Sequence, residues 1–225
     1  VNRFFDATRE PSTAKPKAFA PFRPVTMSKG PKAVHHYKET EQVQCMIGFP
    51  GYGYGNPHLP AQSVLATILG GNMSSRLFTQ VRERRGLAYM VRAGVSPYQD
   101  VGAFAVQAGL RKEKVDEAIK IILSELKKTK DVAIGAEELH RAKEYIKGKI
   151  TLGLEESNEV ADFYGRQEMF QNKMESPEEK IAKIMAVTAK DVQTAARDIF
   201  RAERLRLAVI GPFEDGARFQ KLLHV

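Results

Sequence analysis

Cysteine is almost absent from this sequence, and long apolar runs are absent altogether. The single Cys45 excludes an internal disulfide and any zinc cluster built from cysteines. No stretch approaches the roughly 20 apolar residues that a membrane-spanning helix needs. The chain opens at Val1 without the basic and then apolar stretch of a signal peptide. The sequence therefore predicts no membrane span and leaves the cellular compartment open.

Charge of one sign is in excess but is not clustered. The net charge is +8, with 43% hydrophobic and 28% charged residues in 225, which is typical of a globular protein with a sizeable core. An excess of positive charge suggests nucleic acid as a partner. In the segment 137–144, however, acidic and basic residues alternate, which is typical of a solvated helix face. We therefore predict no nucleic-acid binding; the charge would instead attract acidic substrates or a negative partner domain.

Proline divides the chain into two parts. Four prolines lie between residues 11 and 24 and exclude a continuing helix, so this span is predicted to be an extended linker. Residues 1–23 are assigned to a preceding tail and this linker, and residues 24–225 to the folded domain.

Hydrophobic periodicity predicts the elements of that domain. Strands are predicted over residues 34–38, 42–49, 87–95, 102–108 and 205–210. Helices are predicted over residues 60–69, 112–127, 135–150, 158–171, 176–185, 188–200 and 213–223. Strands come early, helices dominate the middle and one strand returns late. This order predicts an α+β fold, with helices covering a mostly antiparallel sheet.

The segment 70–89 stands out because it contains a loop, a short helix, a stop and a strand. Gly70 and Gly71 are predicted to end a helix through a left-handed backbone. Ser74 or Ser75 is predicted to cap the next helix. Gly86 is then predicted to stop that helix before a strand begins.

The same segment resembles the signature of the second half of pitrilysin-type zinc peptidases, the inverzincins. The matching residues are Gly-Gly-x-Met-Ser-Ser-Arg-Leu-Phe (70–78) followed by Val-Arg-Glu-Arg-Arg-Gly-Leu-Ala-Tyr (81–89). The pattern continues in Glu-Leu-x-x-Ala-Lys (138–143), in Gly-x-x-x-x-Gly-Leu-Glu (148–155) and in Val-Ile-Gly-Pro-Phe (209–213). One departure is Asn72, where many bacterial relatives carry glycine.

The resemblance implies that this chain is the C-terminal half of such an enzyme, with residues 1–8 as the end of the first half. It also implies that an arginine and a tyrosine, here Arg82 and Tyr89, face a zinc ion held by the other half. Arginine donates hydrogen bonds in a planar fork that suits a peptide carbonyl or carboxylate. A tyrosine hydroxyl can donate to an oxygen that gains charge when water attacks a carbonyl. The residues alone favour a structural role, with Arg82 paired to Glu83 or a neighbour and Tyr89 as a half-buried strand aromatic; the resemblance favours the functional one.

The zinc-binding motif of the family, His-x-x-Glu-His on a helix, is absent. No histidine stands three residues before a Glu-His pair; the five are His35, His36, His58, His140 and His224. Adjacent His35 and His36 on a strand would face opposite sides and could not share a metal. No Gly-x-Ser-x-Gly elbow or Walker loop replaces the motif.

We therefore predict no catalytic residues and no metal site in this chain, and zinc only in the complete enzyme. The predicted function is the non-catalytic C-terminal half of a zinc metalloendopeptidase, which forms a wall of the substrate chamber. Its substrate-binding residues would be Arg82 and Tyr89. Its partners would be a peptide substrate and a catalytic N-terminal half or separate catalytic subunit. The alternative is a catalytically inactive family member that acts as a scaffold, like the core subunits of respiratory complex III.

Overall fold

A computed structural model describes Gly30 and residues 32–171 and 173–223 of the chain. The strands are β1 (Lys32–Tyr37), β2 (Gln42–Gly51), β3 (Ala88–Pro97), β4 (Gly102–Arg111) and β5 (Arg206–Gly211). The helices are α1 (Leu59–Gly70), α2 (Val115–Asp131), α3 (Ala136–Gly153), α4 (Ser157–Gln171), α5 (Pro177–Ala186), α6 (Ala189–Ile199) and α7 (Ala217–Gln220). The predicted tail and linker over residues 1–23 lie outside the described residues.

The strands form one sheet in the order β1-β5-β2-β4-β3. Three of the four pairings are antiparallel, and only β1 and β5 run parallel. β5 returns from the end of the helical region and inserts between β1 and β2. The predicted α+β class, a mostly antiparallel sheet with helices, is confirmed.

Helices cover one face of this sheet. α1 packs against β3, α2 against β4 and α6 against β2. The strands alternate accordingly: Val43, Cys45 and Ile47 are buried, whereas Gln44 and Met46 between them are exposed. Burial also raises the pKa of the Cys45 thiol to about 12.

The core between sheet and helices is closed by aromatic contacts. The fully buried ring of Phe200, just after α6, lies 5.1 Å from Phe49 on β2 and 5.0 Å from Phe104 on β4. α6 begins with a capping box, in which Thr188 and Asp191 satisfy each other's backbone N–H groups. The cap fixes where α6 starts and so places Phe200 over the centre of the sheet.

The other face of the sheet is open to solvent. Its side chains come from alternate residues of every strand, and the large apolar ones among them remain exposed. These are Val34, Met46, Met90 and Ile210. Among the helices of the described residues, none combines the length and the hydrophobicity that are needed to span a bilayer.

The last helix, predicted over residues 213–223, is shorter in the structure, where it is α7 (Ala217–Gln220). Phe213 remains outside it because its ring packs edge-on against Phe219, with 5.4 Å between the centroids. Asp215 then accepts a hydrogen bond from the backbone N–H of Ala217 at 2.8 Å, just where α7 starts.

Candidate functional site

The site begins where α1 ends against β3. The prediction of a left-handed backbone at Gly70 and Gly71 is wrong, because Gly71 has φ −81° and ψ −20° and Gly70 has no positive φ. Gly70 is required for a different reason. A Cβ atom added to it would lie 2.2 Å from the backbone nitrogen of Ala93 on β3. Glycine therefore allows α1 to approach the backbone of β3.

The loop that follows is closed by Asn72. Its Oδ1 accepts a hydrogen bond from the backbone N–H of Ser74 at 3.0 Å, which makes an Asx turn. The hydroxyl of Ser75 donates to the Asn72 carbonyl at 2.6 Å. The predicted serine cap is thus wrong, because the serine hydroxyls donate to Asn72 instead of accepting from the helix.

The short helix after this loop is wound as a π-helix over Phe78–Glu83. The N–H of Arg84 donates to the carbonyl of Thr79, five residues earlier, at 3.0 Å. Gly86 then has φ +59°, and its N–H donates to the carbonyl of Arg82 at 3.0 Å. The predicted stop at Gly86 is confirmed, since a left-handed residue after the last turn ends a helix.

Tyr89 lies in a β-bulge at the start of β3. Ala88 pairs with Leu110 of β4, Met90 pairs with Gly109, and Tyr89 is the extra residue between them. Because of this extra residue, Tyr89 and Met90 are both exposed, by 50% and 39%. The bulge therefore turns the phenol out of the core at the end of the open sheet face.

Arg82 and Tyr89 flank the turn at Gly86, and both side chains lie at the protein surface. The guanidinium of Arg82 lies 5.1 Å from the centroid of the Phe78 ring. The ring of Tyr89 lies 6.0 Å from the guanidinium carbon of Arg111. In the described part of the chain, no hydrogen bond joins Arg82 to Tyr89, and none joins Arg82 to Glu83. Each therefore keeps its polar group available at the surface.

An ion pair that the sequence analysis missed supports the loop before these residues. Arg76 donates two hydrogen bonds to the carboxylate of Glu138 on α3, both at 2.7 Å, and this pairing raises the pKa of Arg76. On the same helix, Lys143 donates to the carbonyl of Met185 in the last turn of α5. The signal that could have revealed the pair is that Arg76 and Glu138 both lie within segments that carry the family resemblance.

We expect the pair of Arg76 and Glu138 to couple two distant segments measurably. Their side chains are only 21% and 27% exposed. A double-mutant cycle with Arg76→Ala and Glu138→Ala, followed by urea unfolding, should give a coupling energy of about 1–2 kcal/mol. The control is the exposed pair of Arg141 and Glu137 on α3, for which we expect at most about 0.5 kcal/mol. Equal coupling in the two cycles would contradict a structural role for Arg76.

The histidines of the described residues do not come together. His35 packs between Phe213 and Phe219, at 6.3 and 5.7 Å, and His36 points to the opposite face of the sheet. Over residues 32–171 and 173–223, no three His, Cys, Asp or Glu side chains are placed to hold a metal ion. These residues do not fit a zinc site, and His224 lies outside the described part. No chemical step is therefore assigned to a metal on these residues.

One face of the sheet is open and carries Tyr89 at its end, and helices cover the other face. Residues 2–146 match the model of the peptidase M16 inactive domain. The chain therefore belongs to the peptidase M16 family, to which the pitrilysin-type resemblance pointed.

Two bacterial proteins illustrate the similarity to curated relatives. An uncharacterized zinc protease of Streptomyces coelicolor is 38% identical over 178 residues, which cover 79% of this chain and 39% of the relative. An uncharacterized zinc protease of Bacillus subtilis is 36% identical over 175 residues, which cover 78% of this chain and 42% of the relative. This chain thus spans about two fifths of the length of these relatives.

Solved structures support the fold. A protease from Helicobacter pylori matches with a TM-score of 0.80 at 18% identity, over 94% of this chain and 50% of that chain. A peptidase M16 inactive domain from Pseudomonas fluorescens matches with a TM-score of 0.77 at 24% identity, over 87% and 47%. A chain of complex III2 from Candida albicans matches with a TM-score of 0.76 at 20% identity, over 87% and 50%. At these identities the likeness shows the fold alone.

Proposed function

We propose that this chain is the non-catalytic C-terminal half of a zinc metalloendopeptidase and forms one wall of its substrate chamber. The observation that carries the proposal is the open face of the sheet, with Tyr89 displayed at its end by a bulge. Relatives named zinc proteases are more than twice as long as the matched region, which leaves room in them for a second half.

The wall would be the exposed sheet face. Across its centre, Met46 on β2, Gln107 on β4 and Arg92 on β3 lie in one row, and Arg92 donates to Gln107 at 2.7 Å. Next to them, Gly48 and Gly94 leave the surface without side chains. A surface of mixed apolar and amide character can contact a peptide backbone without demanding one side-chain sequence.

Arg82 and Tyr89 would orient the peptide at one end of this wall. The planar guanidinium of Arg82 would donate to a substrate carbonyl or carboxylate. The hydroxyl of Tyr89 would donate to the carbonyl oxygen that becomes negative during hydrolysis. Arg111, beside the Tyr89 ring, would help to hold that ring in place through a cation–π contact.

Zinc, its ligands and the catalytic base would be supplied by a catalytic half, either upstream in the same chain or in a separate subunit. The alternative is a catalytically inactive scaffold. The likeness of the fold to a chain of complex III2 is compatible with this alternative. The discriminating observation is a His-x-x-Glu-His motif in the sequence before Val1 or in a neighbouring gene. Its presence favours the peptidase and its absence favours the scaffold.

By itself, the 225-residue chain is expected not to hydrolyse peptides. The reason is that the family's water-activating motif is missing from it. The test is to incubate the purified chain with a quenched fluorogenic peptide and Zn²⁺, with and without EDTA. The control is the same chain after addition of the catalytic half, which should restore EDTA-sensitive turnover. EDTA-sensitive turnover by the chain alone would overturn the assignment of a non-catalytic half.

A further inference from the structure

A groove of about 700 Å³ runs along the free edge of β3. β3 is the terminal strand of the sheet, and its other side is paired with β4. Four consecutive residues of the strand, Arg92 to Val95, line this groove. Successive side chains of a strand point to opposite faces of the sheet. Four consecutive residues can therefore line the same groove only if the groove lies along the backbone edge of the strand. The groove is therefore bounded by the backbone edge of β3.

Helices form the remaining walls. The end of α1 closes the groove beneath the strand, where Gly70 approaches the backbone of Ala93. Across from the strand, α3 contributes Ile146 and Ile150, and α4 contributes Phe163. The space thus has one hydrogen-bonding side and one partly apolar side, which is the environment of a strand that adds to a sheet.

The edge of β3 carries little protection against such an addition. An edge strand exposes unpaired N–H and C=O groups, which proteins often shield with prolines, bulges or charges. Here the bulge lies at Tyr89 and Pro97 ends the strand, so the regular stretch between them is unshielded. The only charged residue in that stretch is Arg92, whose guanidinium is drawn towards β4 by Gln107.

The charge of the groove favours an acidic occupant. Its lining has four basic residues and two acidic ones, and Asp162 is already held by Arg166 at 2.6 Å. Lys149 has no ion-pair partner among the residues that the structure describes, and the ammonium group of Lys180 lies 4.8 Å from the centroid of the Phe163 ring. Both lysines can therefore pair with carboxylates of a bound segment.

We propose that this groove binds an acidic peptide segment in an extended conformation, as an added strand on the edge of β3. The inference rests on the proposed function, in which the peptide is the substrate. Tyr89 lies three residues from Arg92 on the same strand, roughly 10 Å away at the rise of a β-strand. A segment held in the groove therefore extends towards Tyr89, which makes the groove a specificity site for acidic residues distant from the cleaved bond.

Binding is tested with the full chain and a fluorescein-labelled ten-residue peptide of alternating valine and glutamate. Replacing its four central amides by esters removes main-chain donors and keeps the side chains, and should raise the Kd measured by fluorescence anisotropy at least about tenfold.

Lys149→Glu combined with Lys180→Glu should raise the Kd of the glutamate peptide by roughly tenfold. Lys127→Glu on α2, outside the groove, is the matched control and should change it less than twofold. Hydrogen exchange of residues 90–96 should slow when the peptide binds.

Three outcomes would overturn the inference. The ester analogue could bind as well as the amide peptide, or the lysine variants could behave like Lys127→Glu. In the third, residues 90–96 are already protected in the free chain and no peptide binds, because the chain's own N-terminal residues or a second copy occupies the edge. Sedimentation would separate those two occupants.

The proposed function fails separately. If the peptide binds at β3 but the chain with its catalytic half hydrolyses nothing, the groove stands as a peptide site and the peptidase assignment is lost. If hydrolysis proceeds with the same kcat/KM on amide and ester-substituted acidic peptides and in the lysine variants, the groove is rejected and the peptidase assignment stands.

Discussion

Tyr89→Phe in the complete enzyme is expected to lower kcat/KM for a fluorogenic peptide by about 10²-fold, through kcat. Removing one hydrogen-bond donor to a developing oxyanion costs about 10² to 10³ in kcat. The hydroxyl of Tyr89 has no hydrogen-bond partner in the described part of the chain, and the residue is 50% exposed. The thermal midpoint should therefore stay unchanged, which would separate a role in catalysis from a role in folding.

The matched control is Tyr98→Phe. Tyr98 is exposed in the turn between β3 and β4 and carries the same phenol at the other end of the strand. We expect it to leave kcat/KM within twofold.

Arg82→Ala should raise KM, because its guanidinium is proposed to hold the peptide. The control Arg84→Ala, two residues further along the chain, should leave KM unchanged. An unchanged rate for both Tyr89→Phe and Arg82→Ala would reject them as substrate-binding residues.

Local pattern was sufficient to predict most of the fold. α6 could be placed from the apolar spacing of its buried residues and from Thr188 and Asp191, because a capping box is a signal contained in four neighbouring residues. Gly86 could be predicted as a stop for the same reason, since the left-handed turn after a helix depends on the residue that occupies it. Such elements are decided by interactions within one turn of the chain.

The details of the candidate site could not be predicted in this way. The exposure of Tyr89 depends on one extra residue in the register between β3 and β4, and a register is fixed by the partner strand. The ion pair of Arg76 with Glu138 joins residues 62 positions apart. In both cases the deciding contact is made with a distant segment. The spacing of residues within either segment therefore does not indicate that contact.

The role of Gly70 likewise depends on a distant segment. A glycine at the end of a helix usually supplies a left-handed residue, and this is what the sequence predicts for Gly70. In the structure, the need for glycine comes from β3, whose backbone crosses the helix end at Ala93. Sequence identified the right residue with the wrong cause, and the two causes predict different consequences for a substitution.

Gly70→Ala is accordingly expected to destabilise the chain by about 3 kcal/mol, which is the cost of forcing an extra carbon into a packed contact. The new Cβ would lie 2.2 Å from the Ala93 nitrogen and 2.9 Å from the Arg92 carbonyl carbon. Both are backbone atoms, so no side-chain rotation can relieve the clash. For a domain of this size the melting temperature should fall by roughly 6–12 °C.

Gly148→Ala in α3 is the control that fixes the sign. Nothing lies within 4 Å of a Cβ at Gly148, so the same substitution should stabilise the protein by about 0.5–1 kcal/mol through helix propensity alone. Two Gly→Ala changes at helical positions are thus expected to shift the melting temperature in opposite directions. If Gly70→Ala also raised it, α1 would not press on β3 at Ala93, and the strand that carries Tyr89 would lose the support that the structure gives it.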